Sequence, residues 1–327
     1  MSDLATIYRY TDFTHAHYRV LLGHAAARYR FCSFHDFARD EVFVLWRHDV
    51  DYAPHAALAL ARIEASCGVQ ATYFLQLSSP FYNLFEPEIK ACVKALADLG
   101  HDLGLHFDAA MHQVETAAQL QDALHRDRRI LEDYCGMPVK SFSFHNPTPE
   151  LLTYDSFDYA GMINAYAGYF RTEVTYCSDS NGIWRHRSLT DVLAEAPPAL
   201  QVLTHPAWWT ETPMAPRRKI FNCIMGRARH VLADYNRLLQ AGGRVNVMEL
   251  AAEFETLDVI LGDAALPVQM DWLQGDSAAA AWRLARICVD RLGAGDPRLA
   301  RYLPLLGEAM AAEDVRFLIT LLLENKT

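Results

Sequence analysis

Two aspartates one residue apart close an apolar run in this chain. The run Val42 to Trp46 leads into Arg47-His48-Asp49-Val50-Asp51. A short apolar run of this kind reads as a buried strand. Side chains alternate along a strand, so Arg47, Asp49 and Asp51 share one side. Two carboxylates on one side of a buried strand end are costly unless they share a proton or a cation. A divalent metal bound by one of them, with the other as general base, resolves that cost. A structural alternative is that Asp51 caps a helix beginning at Ala53-Pro54.

Three histidines follow apolar runs in the same way. His106 closes Gly100-His101-Asp102-Leu103-Gly104-Leu105-His106, His145 follows Ser141 to Phe144, and His205 follows Leu200 to Thr204. Neutral imidazole beside a carboxylate is a common zinc environment. Asp102 has the parity of His106 and would orient a ligand from behind. The stretch Tyr176 to Arg185 adds Asp179, which would orient His205 or bind a sugar hydroxyl, and Trp184. Trp184, Trp208 and Trp209 would either stack on a sugar face or fill the core.

Such residues act together only if the fold gathers the strand ends. Thr14 to Arg30 reads as an amphipathic helix, followed by an aromatic stretch, Tyr29 to Phe37. After the strand at Val42 come a helix at Ala56 to Ser66, a strand at Gln70 to Gln76 and a helix at Pro87 to Leu99. A strand at Asp102 to Leu105, a helix at Ala117 to Tyr134 and a strand at Lys140 to Phe144 follow. The segment to about Pro198 reads as irregular. Leu200 to Leu203 is a further strand and Arg227 to Gln240 a further helix. Strand and helix alternating at this spacing imply parallel strands with crossover helices, hence an α/β barrel, complete or not. Barrel enzymes carry their reactive groups at the carboxyl ends of strands. The expected division is a barrel with its N-terminal helix over residues 1–266 and a helical extension over 267–327, used for packing or self-association.

Composition narrows the function. The chain has 327 residues, 51% hydrophobic and 21% charged, an ordinary globular balance. A formal net charge of −10 argues against broad nucleic-acid binding. The Arg126 to Arg129 stretch, interrupted by Asp127, reads as a solvated helix face. Seven scattered cysteines without a CxxC pair point to reduced thiols. No apolar run is long enough for a membrane span, and the first residues lack a secretory pattern. A cytoplasmic protein is therefore expected. No GxSxG elbow marks a serine hydrolase, and no Gly-rich loop follows a strand.

The stretches RHDVD, GHDLGLH, SFHNP and VLTHP, in this order, resemble the motifs of the NodB-like polysaccharide deacetylases, a carbohydrate esterase type. The resemblance runs from about Leu45 to His205, roughly half the chain. It implies an incomplete or distorted (β/α) barrel, a divalent metal, usually zinc, and hydrolysis of an N-acyl group, in most cases N-acetyl, on an amino sugar. It makes Asp49 the general base, Asp51 and His106 metal ligands, and His205 the general acid. Two departures stand out. The family's second metal histidine would fall at Ala110, and His112 is two residues too far. The family's third motif supplies an arginine near the catalytic acid, and the matching strand end here carries His145. His145 is therefore expected as the third ligand, with Arg47 in the arginine's place. Asp179, Trp184, Arg47 and Asn146 are the expected orienting or substrate-binding residues. With a cytoplasmic location, the substrate expected is a nucleotide- or lipid-linked acylated amino sugar. Alternatives are a metal-dependent hydrolase of a small non-sugar amide, and a non-catalytic carbohydrate-binding protein, which the loss at Ala110 favours.

Overall fold

The strand that leads into the aspartates is the longest among the described residues. β2 (Phe43–Val50) has eight residues, all buried. It outruns the apolar segment that announces it because Arg47, His48 and Asp49 find partners on the two faces of the sheet. The structure, a computed structural model, describes residues 9–184 and 186–244, with four further helical positions, Arg283, Arg286, Ile287 and Asp290. It divides into two compact units, Met1–Leu232 and Ala233–Thr327. The expected boundary after residue 266 and, apart from those four positions, the extension over 267–327 lie outside the described residues.

Before β2 come α1 (His15–Ala26) and β1 (Arg30–Cys32); after it come α2 (Pro54–Ser66), β3 (Thr72–Leu75), α3 (Pro87–Asp98) and β4 (Asp102–Phe107). The chain continues through α4 (Ala109–His112), α5 (Ala117–Cys135) and β5 (Ser141–Phe144). The segment expected to be irregular holds β6 (Asp158–Tyr159), β7 (Met162–Asn164), α6 (Gly168–Thr172), β8 (Thr175–Ser178) and α7 (Leu189–Glu195). These strands have two to four residues, too few to show a period in sequence. β9 (Ala199–Thr204) and α8 (Pro216–Ala241) complete the described part.

The strands lie in the order β6-β7-β5-β4-β3-β2-β9-β8, with β1 also paired to β2. Every pairing is parallel except β6 with β7. No ladder joins β6 to β8 among the described residues, so the fold is an incomplete (β/α) barrel, as the motifs imply. The crossover helices are built as their sequences dictate. α5 buries Leu120, Ala123, Leu124 and Leu131 on one face, the spacing of a helix stripe. A capping box from Thr116 and Gln119 starts it, and Gly136 at φ 69° ends it; a cap of this kind contributes about 1 kcal/mol. Among the described residues no helix is long and apolar enough to cross a membrane.

Alternation along the strands sorts the core into two layers. Val44, Trp46 and Val50 of β2, Leu103, Leu105 and Phe107 of β4, and Leu200 and Val202 of β9 pack with the helices. Phe43, Leu45 and Phe74 point the other way and, with Cys32, Phe34 and Phe170, fill the barrel's amino end. Gly104 belongs to that inner layer. A Cβ there would stand 2.4 Å from the Phe74 ring, so only glycine lets the ring lie across the interior. Above this apolar plug the inner face turns polar, from Arg47 to Asp51.

Candidate active site

Three side chains from three strand ends converge. Asp51 follows β2, His106 is the penultimate residue of β4, and His145 follows β5. Asp51 Oδ1 lies 2.9 Å from His106 Nε2 and 3.5 Å from His145 Nδ1. The two ring nitrogens are 3.1 Å apart. One ligand atom from each lies within 4.8 Å of the others, and Asp51 and His106 are buried. Zinc bonds near 2.0–2.2 Å, arranged tetrahedrally, would hold such atoms roughly 3.3 Å apart. No donor is aligned on the buried Asp51 Oδ1, nor an acceptor on His106 Nδ1. Buried polar atoms without partners are rare in a finished core, and a cation would take up Asp51 Oδ1 beside His106 Nε2. Burial alone would raise the Asp51 carboxyl, but the neighbouring imidazoles His106 and His145 hold it well below the usual range. The donor set therefore fits a divalent metal ion.

The hydrogen bonds behind the ligands suit that use. A ligand at His145 Nδ1 needs its proton on Nε2. The Asn146 carboxamide lies 2.9 Å from Nε2, and with its oxygen turned inward it accepts that proton. Carboxamide oxygen and nitrogen are assigned from the hydrogen-bond network. Asn146 reaches this place with φ at 44°, a conformation asparagine tolerates better than most residues. The capping alternative for Asp51 fails, because Ala53 occupies the N-cap of α2 without a side-chain bond.

Asp49 stands deeper on the same face of β2. Arg47 Nη2 donates to Asp49 Oδ2 at 3.1 Å and to the Tyr166 hydroxyl at 3.1 Å. Ser143 donates to Asp49 Oδ2 at 3.2 Å. Arg47 is fully buried, over the rings of Phe74 and Tyr166, which orients its fork toward Asp49. Burial works against the charge on Arg47, but Asp49 together with the Tyr166 and Tyr176 hydroxyls outweighs it and the guanidinium pKa is raised.

His205 closes the mouth from β9. Its Nδ1 donates to Asp179 Oδ1 at 2.6 Å, and its backbone N–H donates to both Asp179 oxygens. The Trp209 indole N–H donates to Asp179 Oδ2 at 3.0 Å. Asp179 is fully buried, so its carboxylate orients His205 and does not meet a sugar hydroxyl. His205 Nε2 faces the centre, 3.8 Å from Asp51 Oδ2. Burial pulls the imidazole pKa down, but the charges of Asp179 and Asp51 overcome it and raise it to about 9.

Other expectations change. Asp102 begins β4, at the far end from His106, and lies 3.6 Å from His35; parity is shared but depth is not. His112 pairs with Asp127 at 2.8 Å and stacks on Phe107, away from the centre. Asp127 is thus buried, and the arginine-rich face is solvated only around it. Trp208 and Trp209 are core residues. Trp184 is half-buried and packs on Phe13 and Trp209, with ring centroids 4.8 and 6.2 Å away. Sequence reading did not single out Ser143 or Tyr166. Ser143 has the parity of His145 and was open to discovery; Tyr166 follows the short β7, which had no signal.

No protein-family model matches the chain, and no curated protein matches it. Solved structures do show similarity. A family 4 carbohydrate esterase from Streptomyces lividans, in complex with acetate, is 17% identical, with 59% of this chain and 91% of that one covered at a TM-score of 0.35. A chitin deacetylase from the fungal pathogen Colletotrichum lindemuthianum is 16% identical, with 57% and 83% covered at 0.35. A pseudoenzyme of carbohydrate esterase family 4 from Bacillus anthracis is 14% identical, with 59% and 62% covered at 0.34. This chain spans less than two thirds of that pseudoenzyme's length. Carbohydrate esterases and deacetylases are thus what the chain is similar to in structure, and they are the type of protein whose motifs its sequence resembles.

Proposed function

We propose that this protein is a metal-dependent hydrolase that removes an N-acyl group, N-acetyl above all, from an amino sugar. The observation that carries the reading is the convergence of Asp51, His106 and His145 within bonding reach of one ion, between an oriented carboxylate and an oriented imidazole. A divalent cation such as zinc, held by these three residues, would supply Lewis-acid polarisation of the acyl oxygen. Asp49, aligned by Arg47 and Ser143, takes a proton from the attacking water. His205, protonated and held by Asp179, gives a proton from Nε2 to the leaving amine. Asp49 and His205 thus divide the work of base and acid, and Arg47, bonded to Asp49, takes the part of the family's arginine.

The pseudoenzyme among the similar structures gives the second reading its observation: a chain of this fold can lack activity. The complete set Asp49, Asp51, His106 and His205, with His145 in the gap left at Ala110, favours catalysis over binding alone. The test is elemental analysis of the purified protein with its Asp51→Ala, His106→Ala and His145→Ala variants, followed by assay on N-acetylated sugars. About one ion per chain in the wild type, lost in each variant with the fold retained, is expected. A His145→Ala variant with full metal content would remove His145 from the site. No metal after zinc addition would remove the mechanism.

A further inference from the structure

The turn after His205 is tied down from two sides. Pro206–Trp208 form one turn of 3-10 helix with His205 at its N-cap, and the Trp208 N–H donates back to the His205 carbonyl at 3.0 Å. Beyond it the chain runs beside the segment before α1. Thr210 N–H donates to the Phe13 carbonyl at 3.3 Å, and His15 N–H donates to the Thr210 carbonyl at 2.9 Å. Against these two backbones lies a charged side chain that the proposed chemistry leaves unused.

Lys219, in the first turn of α8, is only 2% exposed. Its ammonium donates to the Trp208 carbonyl and, at 3.3 Å, to the Phe13 carbonyl. It also stands 5.5 Å from the centroid of the Phe13 ring. An ammonium is costly to bury unless it is hydrogen-bonded or paired. Burial pulls its pKa down to about 8, against the charge of Asp179, which pushes it up. An apolar side chain would fill the same place without that cost. What the lysine adds is a bond to each of two carbonyls from distant parts of the chain.

Those bonds bear on the acid through the next residue. The Trp209 indole N–H donates to Asp179 Oδ2 at 3.0 Å, and Asp179 Oδ1 accepts from His205 Nδ1 at 2.6 Å. The Trp209 ring packs on Phe13, with centroids 5.1 Å apart. Holding the backbone at Trp208 against Phe13 therefore sets where the indole meets the carboxylate.

We propose that Lys219 is a positioning residue for the acid half of the reaction: by joining the Trp208 and Phe13 carbonyls it sets the Trp209 indole against Asp179 and, through Asp179, the aim of His205. The inference rests on the hydrolase reading above and adds to it a residue of α8, outside the four motifs.

The test is Lys219→Met in the full chain. It is read by hydrogen exchange of the tryptophan indole N–H groups and by acetate release from N-acetylglucosamine and its β-1,4-linked dimer. Trp46 is the internal reference, because its indole donates to Tyr18 on the other face of β2. The Trp209 indole is expected to exchange about ten-fold faster while Trp46 is unchanged, since the loosening is local. The kcat is expected to fall about ten-fold with KM within about two-fold, the mark of a misplaced acid, and metal content is expected to stay at the wild-type level. Lys219→Gln, one bond shorter and uncharged, is expected to move the same quantities in the same direction by less, and it carries the test if the Met variant does not fold. An unmoved Trp209 indole in a folded variant, equal acceleration at Trp46 and Trp209, or a change in KM with kcat untouched would overturn the inference. An active, metal-bearing variant with an unmoved Trp209 sinks this inference alone. A selective change at Trp209 in a protein whose wild type releases no acetate leaves the clamp standing and sinks the hydrolase reading.

Discussion

β2 carries a buried acid–imidazole cluster on each of its faces, and the two are finished differently. On the helix side, His48 Nε2 meets Glu64 Oε1 at 2.6 Å, Tyr73 donates to Glu64 Oε2 at 2.6 Å, and Tyr18 also donates to Oε1. Thr204 meets His48 Nδ1 at 2.6 Å, and the Trp46 indole donates to the Tyr18 hydroxyl. Glu64 is fully buried. Burial alone would raise its carboxyl, but the charge and hydrogen bond of His48 bring it below the ordinary value. On the barrel side, Asp51 Oδ1, His106 Nδ1 and two nitrogens of Arg47 are buried without an aligned partner. A cluster that satisfies itself serves the fold, because it joins α1, α2, β2, β3 and β9. A cluster that leaves capacity unused has room for a further partner. The chemical composition of the two is similar; only the hydrogen-bond accounting separates them.

That contrast breaks most visibly under truncation. Glu64→Ala leaves His48, Tyr18 and Tyr73 buried without their acceptor, and is expected to lower unfolding free energy by about 3–5 kcal/mol. Asp51→Ala in metal-free protein gives up the close but poorly aligned contacts with the His106 and His145 imidazoles, and is expected to cost less, about 1–2 kcal/mol. Thermal or urea unfolding measures both, and equal losses would erase the distinction.

A pH profile sharpens the barrel side. Asp179→Asn removes the nearest charge that raises His205 from its ordinary range to about 9. The general acid must be protonated, so the alkaline limb of kcat is expected to move down by about 1–3 pH units. An unmoved limb would mean that another group limits activity at high pH.

The smallest effect expected is on the helix side. Tyr73→Phe removes one of the donors to Glu64 and leaves Tyr18 and His48 in place. A loss of about 1 kcal/mol is expected by denaturant unfolding, with metal content unchanged. A fall in bound metal would show that the two faces are coupled through β2.

The sites of chemistry were legible because they sit where a strand ends, and strand ends can be read from an apolar run meeting a polar one. RHDVD, GHDLGLH, SFSFH and VLTH each show that junction. The missing histidine at Ala110 was legible too, as a departure in spacing, and with it the candidate replacement at His145. Parity was a weaker guide. It put Asp102 beside His106, whereas the strand sets them at opposite ends.

By itself, then, the sequence determined the strand–helix alternation, the inward parity of Arg47, Asp49 and Asp51, and the set of histidines available to them. These are local properties, written in periods of two and 3.6 residues. Tertiary structure alone decided that Asp51, His106 and His145 meet and that Asp179 turns its carboxylate onto His205. It also decided that Asp127, Trp208 and Trp209 are buried, and that Glu64 is closed off while Asp51 is not. Those outcomes depend on strand order and on which buried atoms find partners, contacts between residues far apart in the chain that no local period records.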